Sequence, residues 1–458
     1  MSSADLADAL DFARTNGVNI HSLTVVRNGA IVLDAYFYPF VPETRHDLAS
    51  ATKSVLSMLV GAAIADGRID GLQQPLRTVL RPELAKSLSG PATEIRVRDL
   101  VTMQSGFDCG YRRGEQELRD MRRAPDWVAY ALRLPMVSEP GTRFGYCSPN
   151  FHLLSAAITS ATNLSALDYA RRRLFAPLGI TDVYWPADSA GLNRGWGDLQ
   201  LRPLDMAKLG LLMLHGGRWE DAQVLPAGWV ASSAEVAAVV NENEDYGLGW
   251  WVSRRIPTLF EANGRGGQRI SVVPDKDLVV VMTGGGFEPG DIGRFVSASL
   301  RSNTPLPDDS VGQARLATAL EQIRMPPARH AETKSPTAAR ISGRVYTLED
   351  NLLGFRSFAL EFPRSGAPAL RLGLASGEIL AQPLGMDGQY RLTTLYGGAV
   401  SAGRADWLGD GRLRVELNRL SLINRFVFDV EFRGEDLLID ASEPTELGQQ
   451  KLVGTWRR

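Results

Sequence analysis

The chain has 458 residues, of which 44% are hydrophobic and 22% charged, and a formal net charge of −2. That length favours two domains over one core. The near-neutral balance leaves no basic footprint for nucleic acid or an anionic membrane, and both partners are set aside. Arg supplies most of the positive charge; with only six Lys in the chain, the setting of each one carries information.

Two cysteines, Cys109 and Cys147, are too few for a disulfide framework. They read as two buried thiols, Cys147 serving as a packing thiol, with a single bridge in an exported protein as the other reading. The first ten residues lack a basic start and a continuous apolar run, so they do not read as a secretory leader. The longest apolar stretch, Val55 to Ala65, falls short of a membrane span. The chain reads as soluble, cytoplasmic as it stands and periplasmic if a leader has been removed.

In chain order, Leu6, Leu10 and Ala13 have helical spacing over residues 4–15. His21 to Tyr38 reads as a hairpin turning at Asn28-Gly29, because both residues tolerate positive φ. An apolar helix over 50–66 stops at Asp66-Gly67. Further helices are expected at 151–163, 165–174, 203–215 and 226–240. The period then switches to strands at Tyr246–Ser253, Thr258–Ala262, Arg269–Val273 and Leu278–Thr283, followed by a helix at 291–301. This order predicts an α+β sheet closed by its first strands and last helix. Residues 303–340 read as a linker with a helical piece at 311–324. From 341 onward, alternation such as Leu413, Val415, Leu417 and Phe426, Phe428, Val430, with turns at Gly409-Asp410-Gly411 and Arg433-Gly434, predicts a small β-sandwich or β-barrel over 341–458.

The chemistry concentrates in three pieces. In Ser50-Ala51-Thr52-Lys53, opening the apolar helix, residues three apart share a face, so the Ser50 hydroxyl and the Lys53 amine can meet. A serine nucleophile needs a base, and a buried Lys sheds its proton more readily than a free one. By itself the pattern also suits a helix-capping serine. The second piece is Gly145-Tyr146-Cys147-Ser148-Pro149-Asn150. The third is Gly264-Arg265-Gly266-Gly267-Gln268, opening an apolar strand.

In this order the three pieces resemble the serine β-lactamase-like, penicillin-recognising hydrolases, marked by Ser-x-x-Lys, Tyr-x-Asn or Ser-x-Asn, and Lys/His-Thr/Gly-Gly on a strand. Leu100-Val101-Thr102-Met103-Gln104-Ser105-Gly106 is similar to another segment of that family, and the likeness covers about residues 5–302. The branch it looks most like holds class C β-lactamase relatives, β-lactamase-fold carboxylesterases and 6-aminohexanoate-dimer hydrolases. The resemblance implies a β-lactamase/transpeptidase-like domain over 1–302: an antiparallel sheet flanked by helices, plus a helical subdomain.

The resemblance implies Ser50 as nucleophile, with Lys53 and Tyr146 sharing general-base and general-acid duty, Tyr146 acting as phenolate under the positive charge of Lys53 and Arg265. It implies an oxyanion site at the backbone N–H groups of Ser50 and Gln268, with Gly266 and Gly267 allowing close approach. Ser148 stands where Asn is usual and reads either as a substrate-side hydroxyl or as a cap for the following helix. Arg265 stands where Lys or His is usual; it cannot act as a base and reads as a carboxylate or phenolate partner, or as a surface ion pair. These departures favour small open-chain esters or amides over β-lactams. A D-amino-acid peptidase and a catalytically idle binding protein for a peptide-like ligand are the other readings. The reading needs no cofactor and no metal, since the five His show no metal-ligand spacing, and it fits a monomer or homodimer. Trp127, Trp185 and Trp196 read as core or cleft lining, and Tyr111 to Arg123 as a solvated loop, with a rim of the entrance as the other reading.

Overall fold

The helix Thr52–Ala65 is mostly apolar and, apart from its last turn, fully buried, as expected of a helix hydrophobic nearly all round. Around it the computed structural model describes residues 1–110, 114–326, 335–445 and 448–456. The chain divides into two units. One comprises 23–34 and 47–283, the other 1–22, 35–46 and 284–458. Tyr111, Arg112 and Arg113 of the expected rim, and His330, lie outside the described residues.

Most of an eight-stranded sheet lies in the first unit. In spatial order its strands are Ala30–Tyr36, Ile20–Arg27, Leu278–Gly284, Gln268–Val273, Phe260–Gly264, Trp251–Ser253, Glu244–Tyr246 and Ala238–Val239. The expected first hairpin therefore joins the last strand, and Asn28 at its turn donates to Asp277 O at 3.0 Å. Phe260–Gly264 and Gln268–Val273 pair antiparallel with Gly264 opposite Gln268, so Arg265-Gly266-Gly267 forms the turn between them. Gly266 and Gly267 both have positive φ there, a conformation that suits glycine.

Two sequence expectations are corrected. Tyr246–Ser253 is two short antiparallel strands rather than one, because Gly247-Leu248-Gly249 turns between them. The central helix holds that turn: Ser54 Oγ donates to Gly249 O at 2.6 Å and Ser57 Oγ to Leu248 O at 2.5 Å. The helix expected over 226–240 ends at Ala234, and Ala238–Val239 instead forms the outermost strand.

In the second unit, ten antiparallel strands between Val345 and Thr455 form a barrel-like sheet. The strands at the two ends of its order meet, Gln382 Nε2 donating to Arg391 O at 2.8 Å. The alternation read from the sequence becomes cross-strand register: Leu413 faces Val430, Val415 faces Phe428 and Leu417 faces Phe426. These side chains are buried in one apolar core. In the expected linker, Ser310–Arg324 and Pro336–Ile341 are helical. Among the described residues no helix is long and apolar enough to cross a membrane.

Candidate active site

Ser50 lies in a 3₁₀ turn, Ala49–Ala51, that leads into the central helix. The helix N-cap is Ala51, so the capping-serine reading of Ser50 is overturned. The turn is held from both sides. Leu48 N–H donates to Leu199 O at 2.9 Å, and the Asp47 carboxylate accepts the Ala49 N–H at 2.7 Å. Ala49 has a φ of 46°, uncommon for a residue with a Cβ.

One turn along, Lys53 is 1% exposed, and its Nζ donates to Ser50 Oγ and to Trp196 O, both at 2.9 Å. Burial lowers the Lys53 pKa to about 8, against the opposing pull of Glu115 and Asp198. Lys53 Nζ also sits 4.9 Å from the centre of the Tyr146 ring.

Tyr146 is buried, and its hydroxyl is hydrogen-bonded to Ser50 and Ser148. Its neighbours are set by the Leu100–Gly106 segment: Gly145 N–H donates to Met103 O at 2.8 Å, and Cys147 N–H to Met103 Sδ at 3.3 Å. The expected phenolate is overturned. Burial, reinforced by the Glu115 charge, pushes the Tyr146 hydroxyl well above its ordinary range, so it stays a neutral phenol.

The remaining expected residues divide. Ser148 does not cap its helix, whose N-cap is Cys147; its hydroxyl donates to the Glu115 carboxylate. Gln268 is fully buried and its side chain donates to Arg265 O at 3.0 Å. Gly267 is buried beside it, whereas Arg265 is exposed at the turn, and its charge acts on Asp47. Cys109 and Cys147 are joined in a disulfide, their Cα atoms 5.2 Å apart, which corrects the two-thiol reading. Trp127 and Trp196 are buried with ring centres 5.3 Å apart, and Trp185 donates to Arg194 O at 2.9 Å, so all three belong to the core.

Four residues at the site escaped the sequence reading. Trp251, half-buried, stacks on Tyr146 with ring centres 6.0 Å apart. Glu115, expected only as part of a solvated loop, reaches Ser148. Asp198, paired with Arg194 at 2.7 Å, acts on both Lys53 and Asp47. Asp47, three residues before Ser50, has its carboxyl raised to about 7 by burial and by the Asp198 charge. Its place in the sequence was the one available signal.

A hydroxyl at a turn, a buried amine in contact with it, a neutral phenol beside it and a close-packed strand opposite make a constellation suited to acyl transfer. The family described as Beta-lactamase matches residues 12–295. The chain is 28% identical over 281 residues to the 6-aminohexanoate-dimer hydrolase of Paenarthrobacter ureafaciens, a match covering 56% of this chain and 70% of that protein. It is 27% identical over 190 residues to the lovastatin esterase of Penicillium rubens, covering 37% of this chain and 46% of the esterase. An octameric penicillin-binding protein homologue from Pyrococcus abyssi aligns over 99% of this chain and 100% of its own with a TM-score of 0.54; at 16% identity the likeness is one of fold. The chain belongs to the β-lactamase family of serine hydrolases.

Proposed function

We propose that this chain cleaves a small open-chain ester or amide through an acyl-enzyme on Ser50. The observation that carries the reading is the 2.9 Å contact between Ser50 Oγ and a buried Lys53 Nζ. With its pKa lowered to about 8, Lys53 is a base usable near neutral pH. The neutral amine takes the Ser50 proton as Oγ attacks the carbonyl carbon. The ammonium so formed returns the proton to the departing alkoxide or amine. Tyr146 remains a phenol that orients the Ser50 hydroxyl. The backbone N–H groups of Ser50 and Gln268 receive the developing oxyanion, each donor contributing about 3–4 kcal/mol. Water then attacks the ester bond to Ser50 with Lys53 again as base, freeing the acid.

Arg265 and Ser148 support open-chain substrates over β-lactams. The guanidinium is exposed, and the hydroxyl is engaged with Glu115, so neither offers the amide and ammonium expected for a fused-ring carboxylate. The relative named as a 6-aminohexanoate-dimer hydrolase and the one named as an esterase support the same choice.

The test is labelling with a fluorophosphonate, read by intact mass, alongside turnover of p-nitrophenyl esters, the aminohexanoate dimer and nitrocefin. One adduct on the wild type and none on Ser50→Ala is expected. An unlabelled wild type, or equal labelling of the Ser50→Ala variant, rules out the acyl-enzyme. Efficient turnover of nitrocefin alone rules out the substrate class.

A further inference from the structure

Glu115 lies 65 residues from Ser50 in the sequence, yet a continuous series of hydrogen bonds connects them. The Ser148 hydroxyl donates to the Glu115 carboxylate. The Tyr146 hydroxyl is bonded to both Ser148 and Ser50. Lys53 Nζ donates to Ser50 at 2.9 Å. Between an ammonium at one end and a carboxylate at the other stand three hydroxyls in sequence.

Each hydroxyl has one proton to give, an ammonium can only donate and an ionised carboxylate can only accept. These facts leave the chain one sense. Ser148 spends its proton on Glu115, so toward Tyr146 it accepts. Tyr146 spends its proton on Ser148, so toward Ser50 it presents a lone pair. Ser50 in turn donates to Tyr146 while accepting from Lys53. Bonds aligned head to tail polarise one another and resist reversal.

On the reading of Ser50 as nucleophile, we propose that Glu115 is a positioning residue that acts through Ser148 to keep the Tyr146 proton off Ser50. With that proton held on Ser148, the phenol does not occupy the lone pair with which Ser50 attacks. When Lys53 becomes the neutral amine, the Ser50 hydroxyl exchanges its bond to Tyr146 for one to the amine, and its attacking lone pair stays free of the Tyr146 proton.

Two further features suit a residue held for this purpose. Glu115 occupies the N-cap position of the helix Gln116–Met121, yet its side chain does not cap that helix and is turned to Ser148 instead. Its φ of 55° is left-handed, a conformation costly for a side-chain-bearing residue and commonly kept where a site demands it.

The experiment compares Glu115→Gln, Ser148→Ala and the double variant in p-nitrophenyl acetate hydrolysis across pH, with fluorophosphonate labelling and thermal melts alongside. A glutamine can donate to Ser148, which releases the chain's direction. Both single variants are expected to lose at least 10-fold in kcat with little change in KM. The double variant should be no slower than the slower single one, since both act on one element. The pH limb of kcat/KM separates the two. Glu115 holds the Lys53 ammonium up, so Glu115→Gln moves the limb to lower pH, whereas Ser148→Ala leaves it in place. Wild-type kcat in Glu115→Gln, or losses that multiply in the double variant, overturns the proposal. If Glu115→Gln fails to fold, Ser148→Ala alone decides, wild-type kcat being the refuting result. Absence of labelling on the wild type is a different failure and belongs to the acyl-enzyme reading.

Discussion

Gly264 and Leu48 approach so closely that a Cβ on Gly264 would stand 2.2 Å from the Leu48 carbonyl oxygen. The strand that ends at Gly264 is thereby pressed against the residues that enter the Ser50 turn. A methyl group cannot fit between two backbones, so Gly264→Ala must push the strand away from the nucleophile. We expect a loss of about 1–3 kcal/mol in stability, the usual range for overpacking, together with a fall in kcat. Thermal melts and ester hydrolysis check both. Gly293→Ala is the control: beyond its own stretch of helix backbone, nothing lies within 4 Å of its new Cβ, and no loss is expected.

On the proposed mechanism, Lys53 sets the pH dependence. Only the unprotonated amine can accept the Ser50 proton, and burial lowers its pKa to about 8. Activity should therefore rise with pH through a limb near that value, well below the limb an ordinary Lys would give. Lys53→Met should lower kcat/KM by roughly 10²–10⁴, the usual contribution of a general base, and abolish the limb. A pH–rate profile of both proteins, with the same limb surviving in Lys53→Met, would assign the titration to another group.

Asp47 predicts a stability effect of definite sign. Its carboxyl is raised to about 7 in the folded protein, against about 3.9 in an unfolded chain. Between those values the folded state keeps a proton that the unfolded state has released, so stability falls as pH climbs through the window. Asn cannot ionise, yet it retains an oxygen for the Ala49 N–H. Asp47→Asn should melt like the wild type near pH 4 and above it at pH 8. Parallel melting curves across that range would contradict the raised carboxyl.

Trp251 stacks on Tyr146 and meets Phe144 and Tyr246 edge-on, with ring centres 6.2 and 5.0 Å away. Such pairs contribute about 0.5–1.5 kcal/mol each beyond buried area. Trp251→Ala frees the Tyr146 ring and should reduce kcat about 3- to 10-fold, the rate equivalent of one such pair, whereas Trp251→Phe should keep most of it. Comparing kcat for the two variants, after confirming equal melting temperatures for the Phe variant, is the relevant measurement.

What could be read from the sequence was whatever lies within one local element. Ser50 and Lys53 are one helical turn apart, Tyr146 sits in a short motif, and Gly264 to Gln268 is a turn whose glycines state their backbone need. Glu115, Trp251 and Asp198 come to the site from separate segments, and no spacing links them to Ser50. The sequence left Cys109 and Cys147 open between two thiols and one bridge for a related reason: pairing depends on a Cα separation that a gap of 38 residues does not reveal. The strand read across Tyr246–Ser253 failed differently. Its composition is that of a strand, but two serines on the buried helix bond the middle of it into a turn, and tertiary hydrogen bonds outweigh a local preference.

The left-handed backbone of Ala49 has a consequence for any attempt to improve this protein. Glycine adopts that conformation without the roughly 1–2 kcal/mol an alanine incurs, so the residue beside the nucleophile is not the one that fold stability alone would choose. Ala49→Gly relieves the conformation and at the same time loosens the turn from which Ser50 is presented. Robustness and turnover pull in opposite directions at this position. A screen that selects for heat resistance alone would drift toward the slacker, slower enzyme.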